Sequence, residues 1–304
     1  MRRSLTILGL ALAMTGAVQA QDYWNPPTLE NRNASGFPYY MLQVPNPSSM
    51  KIDGFDDDWG WYDPEYILTI DEWKDEGDRP LPTRDDLDVT TKMGWAGNRW
   101  YVYMAIHDDT LSHEGNAVRR WDGDMIGFIL DPQDHGRTRG KLGYSQEYVA
   151  APGNVEANFT ERYPECEGCD GPAAWRGFGE PPNLLGAVRV EPAEAWAADP
   201  WTSDTGGDTY YEFSLAAWDL LEEGGPEVST PRNLDAQAGE NGAGLSFVFF
   251  VEDGDPGFNN DMTVRGSEAT ARQYFALAKL LRTGEYNVGT AVEETTWGRI
   301  KSSF

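Results

Sequence analysis

The sequence predicts an all-β fold, an antiparallel two-sheet β-sandwich or jelly roll with long loop insertions. Three observations carry this. Short runs rich in β-branched and aromatic residues recur along the chain, Gly, Pro, Asn and Asp separate them at turn-like intervals, and long helical periodicity is scarce.

The predicted strands occupy residues 66–70, 87–95, 100–107, 125–131, 145–150, 184–190, 209–215 and 245–252. The clearest local element is a hairpin around Ala96-Gly97-Asn98, where glycine and asparagine tolerate the positive φ of a tight turn. On its second strand Val102, Met104 and Ile106 alternate with Tyr101, Tyr103 and Ala105, which gives that strand two distinct faces. Helical candidates are limited to residues 215–221 and 274–281, and the second reads equally as a closing strand.

Around these elements the chain divides into four parts. Residues 1–20 have the layout of a secretory signal peptide: Arg2 and Arg3, an apolar stretch from Leu5 to Met14, then Val18-Gln19-Ala20, with cleavage expected after Ala20. Residues 21–50 are rich in Pro, Asn and Ser and read as an N-terminal arm, with one extended candidate at 40–44. Residues 51–282 form the sandwich, and residues 283–304 a tail ending Thr296-Trp297-Gly298-Arg299-Ile300-Lys301, for which a docking or sorting segment and an extra strand are equally open. Within the sandwich, the stretches 153–182 and 222–244 are irregular and expected on the surface.

Composition sets limits on partners. The 50 acidic residues outnumber the 24 basic ones, giving a formal net charge of −26, which disfavours nucleic acid and anionic membrane surfaces. The apolar run near the N-terminus is shorter than the roughly 20 residues a spanning helix needs, so no membrane span is expected. A periplasmic, extracellular or cell-surface location follows from the signal layout.

Cys166 and Cys169 are the only cysteines. One C-x-x-C pair does not complete a four-ligand zinc site, and a redox pair would want its first thiol at a helix N-terminus rather than between acidic, turn-forming flanks. A small disulfide in an exposed loop is the favoured reading. The histidines, His107, His113 and His135, form no i, i+4 metal pair. A serine nucleophile elbow and a glycine-rich phosphate loop are both absent, and no carboxylate pair announces itself for glycoside hydrolysis, so a non-catalytic protein is expected.

Acidic turns supply candidate metal ligands. Asp53, Asp56 and Asp57, with Asp58, concentrate carboxylates in one turn, and Asp108 with Asp109 would add the oxygens that calcium requires. Asp and Gly also suit tight turns for purely conformational reasons, and both readings stay open. Asp122 and Asp124 offer a further pair, and Glu252-Asp253-Gly254-Asp255 and Asn259-Asn260-Asp261 repeat the chemistry near the end of the domain.

Ile52-Asp53-Gly54 with Asp56, Asp57 and Trp59, the strand ending His107-Asp108-Asp109, Trp121-Asp122-Gly123-Asp124 and Tyr211-Glu212-Phe213-Ser214 together resemble the family 9 carbohydrate-binding modules over residues 51–282. The resemblance implies a two-sheet antiparallel jelly roll with structural calcium. It also implies a sugar site that clamps a glucose-type ring between two tryptophans, using π surfaces against the apolar faces of the sugar. Trp121 stands at the first tryptophan. Six residues on, Gly127 replaces the glutamate of that site, and Ala269-Thr270-Ala271-Arg272 stands where the second tryptophan belongs. Asp124, Tyr148, Asn259 and Asn260 complete the expected ligand face. Related sandwiches bind haem, for which Met93, Met104 and His107 are available, but Met104 fits the core stripe better and haem is not expected.

The expectation is therefore a secreted, non-catalytic protein that binds a glycan or polysaccharide, with calcium stabilising its loops. The alternative is an extracellular structural or assembly subunit built on the same sandwich and capable of self-assembly.

Overall fold

The computed structural model describes residues 39–75, 80–111, 124–131, 146–151, 158–162, 181–192, 206–222, 224–238, 244–255, 258–263 and 276–288. The signal-like segment, Trp121, His113, His135, both cysteines and the residues beyond 288 lie outside these residues.

The described elements are almost all strands: β1 (Tyr39–Gln43), β2 (Leu68–Thr69), β3 (Lys74–Asp75), β4 (Leu87–Ala96), β5 (Arg99–Asp108), β6 (Met125–Asp131), β7 (Gln146–Ala151), β8 (Asn158–Arg162), β9 (Leu184–Glu191), β10 (Gly207–Ala216), β11 (Trp218–Leu220), β12 (Thr230–Pro231), β13 (Gly244–Asp255), β14 (Phe258–Thr263) and β15 (Ala276–Leu281). A single short helix, α1 (Leu234–Ala238), is described besides them. β11 and β12 form a small ribbon, and the other strands hydrogen-bond in the order β8-β7-β6-β13-β15-β1-β4-β5-β10-β9, with β14 on β13, β2 on β4 and β3 on β14.

That continuous ladder is folded over into two layers, and one aromatic contact shows it. Along the ladder β6 and β10 are six steps apart, which at about 4.8 Å per strand is roughly 29 Å in a flat sheet. Yet Phe128 of β6 and Phe213 of β10 stack with centroids 4.2 Å apart and planes 4° from parallel. Trp100 of β5 likewise stacks on Phe249 of β13 at 5.5 Å. The β8-β7-β6-β13-β15 layer therefore faces the β4-β5-β10-β9 layer across one core, the sandwich expected from the sequence.

β1 is the corner of this sandwich. It pairs parallel with β15 through Tyr39↔Ala278 to Leu42↔Leu281 and parallel with β4 through Leu42↔Gly94. The remaining pairings are antiparallel. Residues 39–43, read from the sequence as part of an arm, are thus an internal strand with Tyr39, Met41 and Leu42 fully buried. The start of the predicted tail is also attached: Tyr286 packs among the aromatics beside β1, its hydroxyl donates to the Gln43 carbonyl, and Asn287 N donates to Asp63 Oδ2 at 3.0 Å.

The alternation read on β5 holds. Val102, Met104 and Ile106 join the inter-sheet core, while Tyr101 and Tyr103 face outward into a second apolar cluster. The hairpin from β4 to β5 turns at Gly97, with φ +61°. Within the 274–281 candidate, the described residues 276–281 are strand: Ala278 and Leu280 are buried and Lys279 is not, a period of two that a strand rather than a helix satisfies. Residues 215–221 end β10 and form β11 rather than a helix. The strand predicted at 66–70 shrinks to β2 because 3-10 turns flank it, one begun by Pro64 under the Asp63 cap and one closed by Thr69 N donating to Glu72 Oε2. Four strands escaped the sequence reading: the two-residue β3 and β12, β8 inside the 153–182 insertion and β14 after the acidic turn.

The second cluster explains residues 44–67. This segment lays Trp59, Trp61, Tyr62, Ile52 and Val44 over Tyr101, Tyr103 and Leu42, covering the outer face of the β4-β5 region. Among the described residues, no helix is long and apolar enough to cross a membrane.

Candidate functional site: an acidic group at one end of the sandwich

Three strands deliver carboxylates to one place. Asp108 ends β5, Asp124 immediately precedes β6 and Asp253 lies near the end of β13. Antiparallel pairing of β6 with β13, Glu252↔Met125 included, brings the last two to the same end of the layer. Sheet closure brings β5 opposite. All three are buried, at 3%, 7% and 2% exposure, and one carboxylate oxygen from each lies within 4.8 Å of the others.

Backbone donors orient this group. Thr110 N donates to Asp108 Oδ1 at 2.8 Å and Gly254 N donates to Asp124 Oδ1 at 2.9 Å. Tyr211, inward-facing on β10 and 1% exposed, has its phenol held well above the ordinary value by burial first and then by the Asp124 and Asp108 carboxylates. Three acidic side chains this close and this buried repel one another unless a proton or a cation intervenes. The donor set is entirely hard oxygen, so the residues present fit calcium, which draws six to eight oxygens from carboxylates, carbonyls and water. Asp108, Asp124 and Asp253 would be the side chains holding it.

The other predicted metal ligands lie elsewhere. Asp53 Oδ1 accepts from Phe55 N at 3.1 Å, which closes an Asx turn, and Asp56 pairs with Lys92. Asp57 belongs to the same turn, and its charge helps raise the neighbouring Asp58, after burial, which is the largest cause. Asp109 accepts from Thr110 Oγ1 at 3.0 Å. Of the five expected ligands, the structure places only Asp108 in the converging group.

What holds the Asp53 turn is a residue the metal reading passed over. Glu212, fully buried on the outward face of β10, accepts from Asp53 N at 2.8 Å, Gly54 N at 2.9 Å and Trp59 Nε1 at 2.9 Å. Burial pushes its carboxyl up to about 7, against those three donors, which pull it down. The segments Ile52-Asp53-Gly54, Trp59 and Tyr211-Glu212, singled out separately in the sequence, are therefore one structural latch.

The predicted ligand residues separate in the same way. Trp121 lies outside the described residues. Asp124 belongs to the buried acidic group. Tyr148 is a correction to the expected ligand face: it is 1% exposed, with its ring against Phe128 at 5.1 Å in the core, so it offers no face to a sugar. The cause is parity, since Tyr148 pairs with Phe128 and both point inward. Asn259 and Asn260 pair with Gly254 and Asp253 on β14 beside the acidic group, and their side chains lie outside the described set. At Gly127 an added Cβ would collide with Phe250 Cζ, so the phenyl ring occupies the space a side chain would need. For the haem candidates, Met93 and Met104 are in the core while His107 faces outward, 47% exposed, 2.8 Å from Asp208 Oδ1.

No protein-family model matches the chain. No curated protein matches it. Among solved structures, it is similar to a family 9 carbohydrate-binding module from Caldicellulosiruptor kristjanssonii in complex with cellotriose, at 15% identity over 80% of this chain and 92% of that one, with a TM-score of 0.46. It is also similar to a family 9 module from the same organism in complex with glucose, at 16% identity over 80% and 95% of the two chains, with a TM-score of 0.45.

Proposed function

We propose that this is a secreted, non-catalytic carbohydrate-binding protein whose ligand-side loops are stabilised by calcium. The observation that carries the reading is the buried group of Asp108, Asp124 and Asp253. Asp124 follows Trp121 by three residues, so a cation held by this group would anchor the chain close in sequence to the tryptophan. Trp121 then serves as the stacking surface for the apolar face of a sugar ring, with hydroxyl recognition supplied by amide side chains such as Asn259 and Asn260. The signal-like layout of residues 1–20 supports export, and an oxygen-rich calcium site suits a calcium-containing exterior.

The test is a calorimetric titration of the mature protein with soluble glycans, in calcium and in chelator, alongside Trp121→Ala. The expected result is a saturable heat that falls in chelator and is weakened in the variant. A protein giving no heat with any glycan in either condition is not a carbohydrate binder.

A further inference from the structure

We propose that the outer face of β5, β10 and β9 carries a second glycan platform, formed by Phe55 stacked on Arg189 and Tyr210, that takes the C–H face of a neutral sugar ring. It rests on the carbohydrate reading above but uses residues on another part of the molecule.

Phe55 is 49% exposed and is the only aromatic among the large apolar side chains left exposed in the described residues. Its exposure is not that of a loose loop. Gly54, at φ +81°, and Asp53 are held from below by Glu212, Phe55 N donates to Asp53 Oδ1, and Arg189 Nε donates to the Gly54 carbonyl at 3.2 Å. The ring itself is oriented by the Arg189 guanidinium, whose central carbon lies 4.4 Å from the Phe55 centroid and 3.9 Å from that of Tyr210. One face of Phe55 is thus taken by the guanidinium and the other is presented to water. A ring fixed before the ligand arrives loses little conformational freedom on binding, which favours weak stacking contacts of this kind.

The surroundings select the chemistry. On the same face of the sheet, in register with this stack, stand Asp208, His107 and Glu191, at 44%, 47% and 56% side-chain exposure. Carboxylates accept from the paired hydroxyls of a sugar, whereas Arg189 is already engaged by Glu191. This acidic rim on a chain of net charge −26 repels uronic or sulfated polymers and leaves neutral glycans as the matching class.

The experiment compares the unmutated protein with Phe55→Ala, Phe55→Leu, Phe55→Trp and Trp121→Ala, titrated with neutral gluco-, xylo- and manno-oligosaccharides. Leucine keeps an apolar side chain at this position but has no π face, so it separates stacking from simple cover. Expected are an affinity loss of about tenfold in both Phe55→Ala and Phe55→Leu, retention in Phe55→Trp, and thermal midpoints unchanged throughout. Unchanged affinity in Phe55→Leu, with binding abolished by Trp121→Ala, would overturn the platform and leave the carbohydrate reading standing. Absence of binding by the unmutated protein removes both.

Discussion

Glu212 Oε1 accepts a hydrogen bond from Trp59 Nε1 at 2.9 Å across 153 residues of chain, and its other oxygen receives Asp53 N and Gly54 N. A carboxylate in the middle of β10 thereby ties the segment 44–67 to the sheet it covers. Glu212→Ala leaves three donors without an acceptor, two of them buried, Gly54 N and Trp59 Nε1, and is expected to cost at least about 2 kcal/mol. Denaturant unfolding of the variant measures it.

The same residue sets a pH dependence. Its carboxyl is raised from its ordinary value to about 7 in the folded protein, so folding takes up a proton there. The stability it contributes is fully present below the unfolded value and is lost as pH rises through about 7. Unfolding free energies of the unmutated protein and Glu212→Gln, compared at intervals from pH 4.5 to 8, should diverge over that window, the unmutated protein losing stability relative to the variant as pH rises. Parallel curves would refute this.

Calcium should reverse the sign of a substitution. With chelator present, Asp253→Asn removes one of three mutually repelling buried carboxylates and is expected to raise the thermal midpoint. With calcium in millimolar excess the unmutated protein gains stability by mass action, while the variant, short of a ligand, gains less. Melting curves in the two conditions decide it; equal shifts on adding calcium would assign the cation to some other place.

Gly127 and Phe250 should behave as a coupled pair. A methyl at residue 127 collides with the Phe250 ring, so Gly127→Ala is expected to cost about 1–3 kcal/mol by overpacking. Phe250→Leu shortens the ring that causes the collision, and the double variant should be more stable than the two single losses added together. Strict additivity would mean that the ring moves aside freely.

The inter-sheet stack marks the core that closes the sandwich. Phe128→Ala removes the partner of Phe213 at a fully buried site and should cost roughly 3–5 kcal/mol. A comparable truncation at exposed Val228 should change stability by less than about 0.5 kcal/mol, since nothing buried is lost there. Both are read from denaturant midpoints.

Local pattern determined much of this protein. The period-two alternation of Val102, Met104 and Ile106 against Tyr101 and Tyr103, the turn at Gly97 and the runs that became β4, β5, β6, β10 and β13 are written in neighbouring residues, because a strand exposes its two faces alternately. The acidic turns were visible too, but not which of their residues meet. Asp108, Asp124 and Asp253 come from three strands, and only β6–β13 pairing and the closure of one layer on the other bring them within reach. Strand parity decided Tyr148 against the surface, and long-range pairing made the extended candidate at 40–44 part of a corner strand. Composition and period report what each segment prefers by itself; the acidic group, the Glu212 latch and the Phe55–Arg189 stack depend on register between segments far apart in the chain, which only the folded sheet determines.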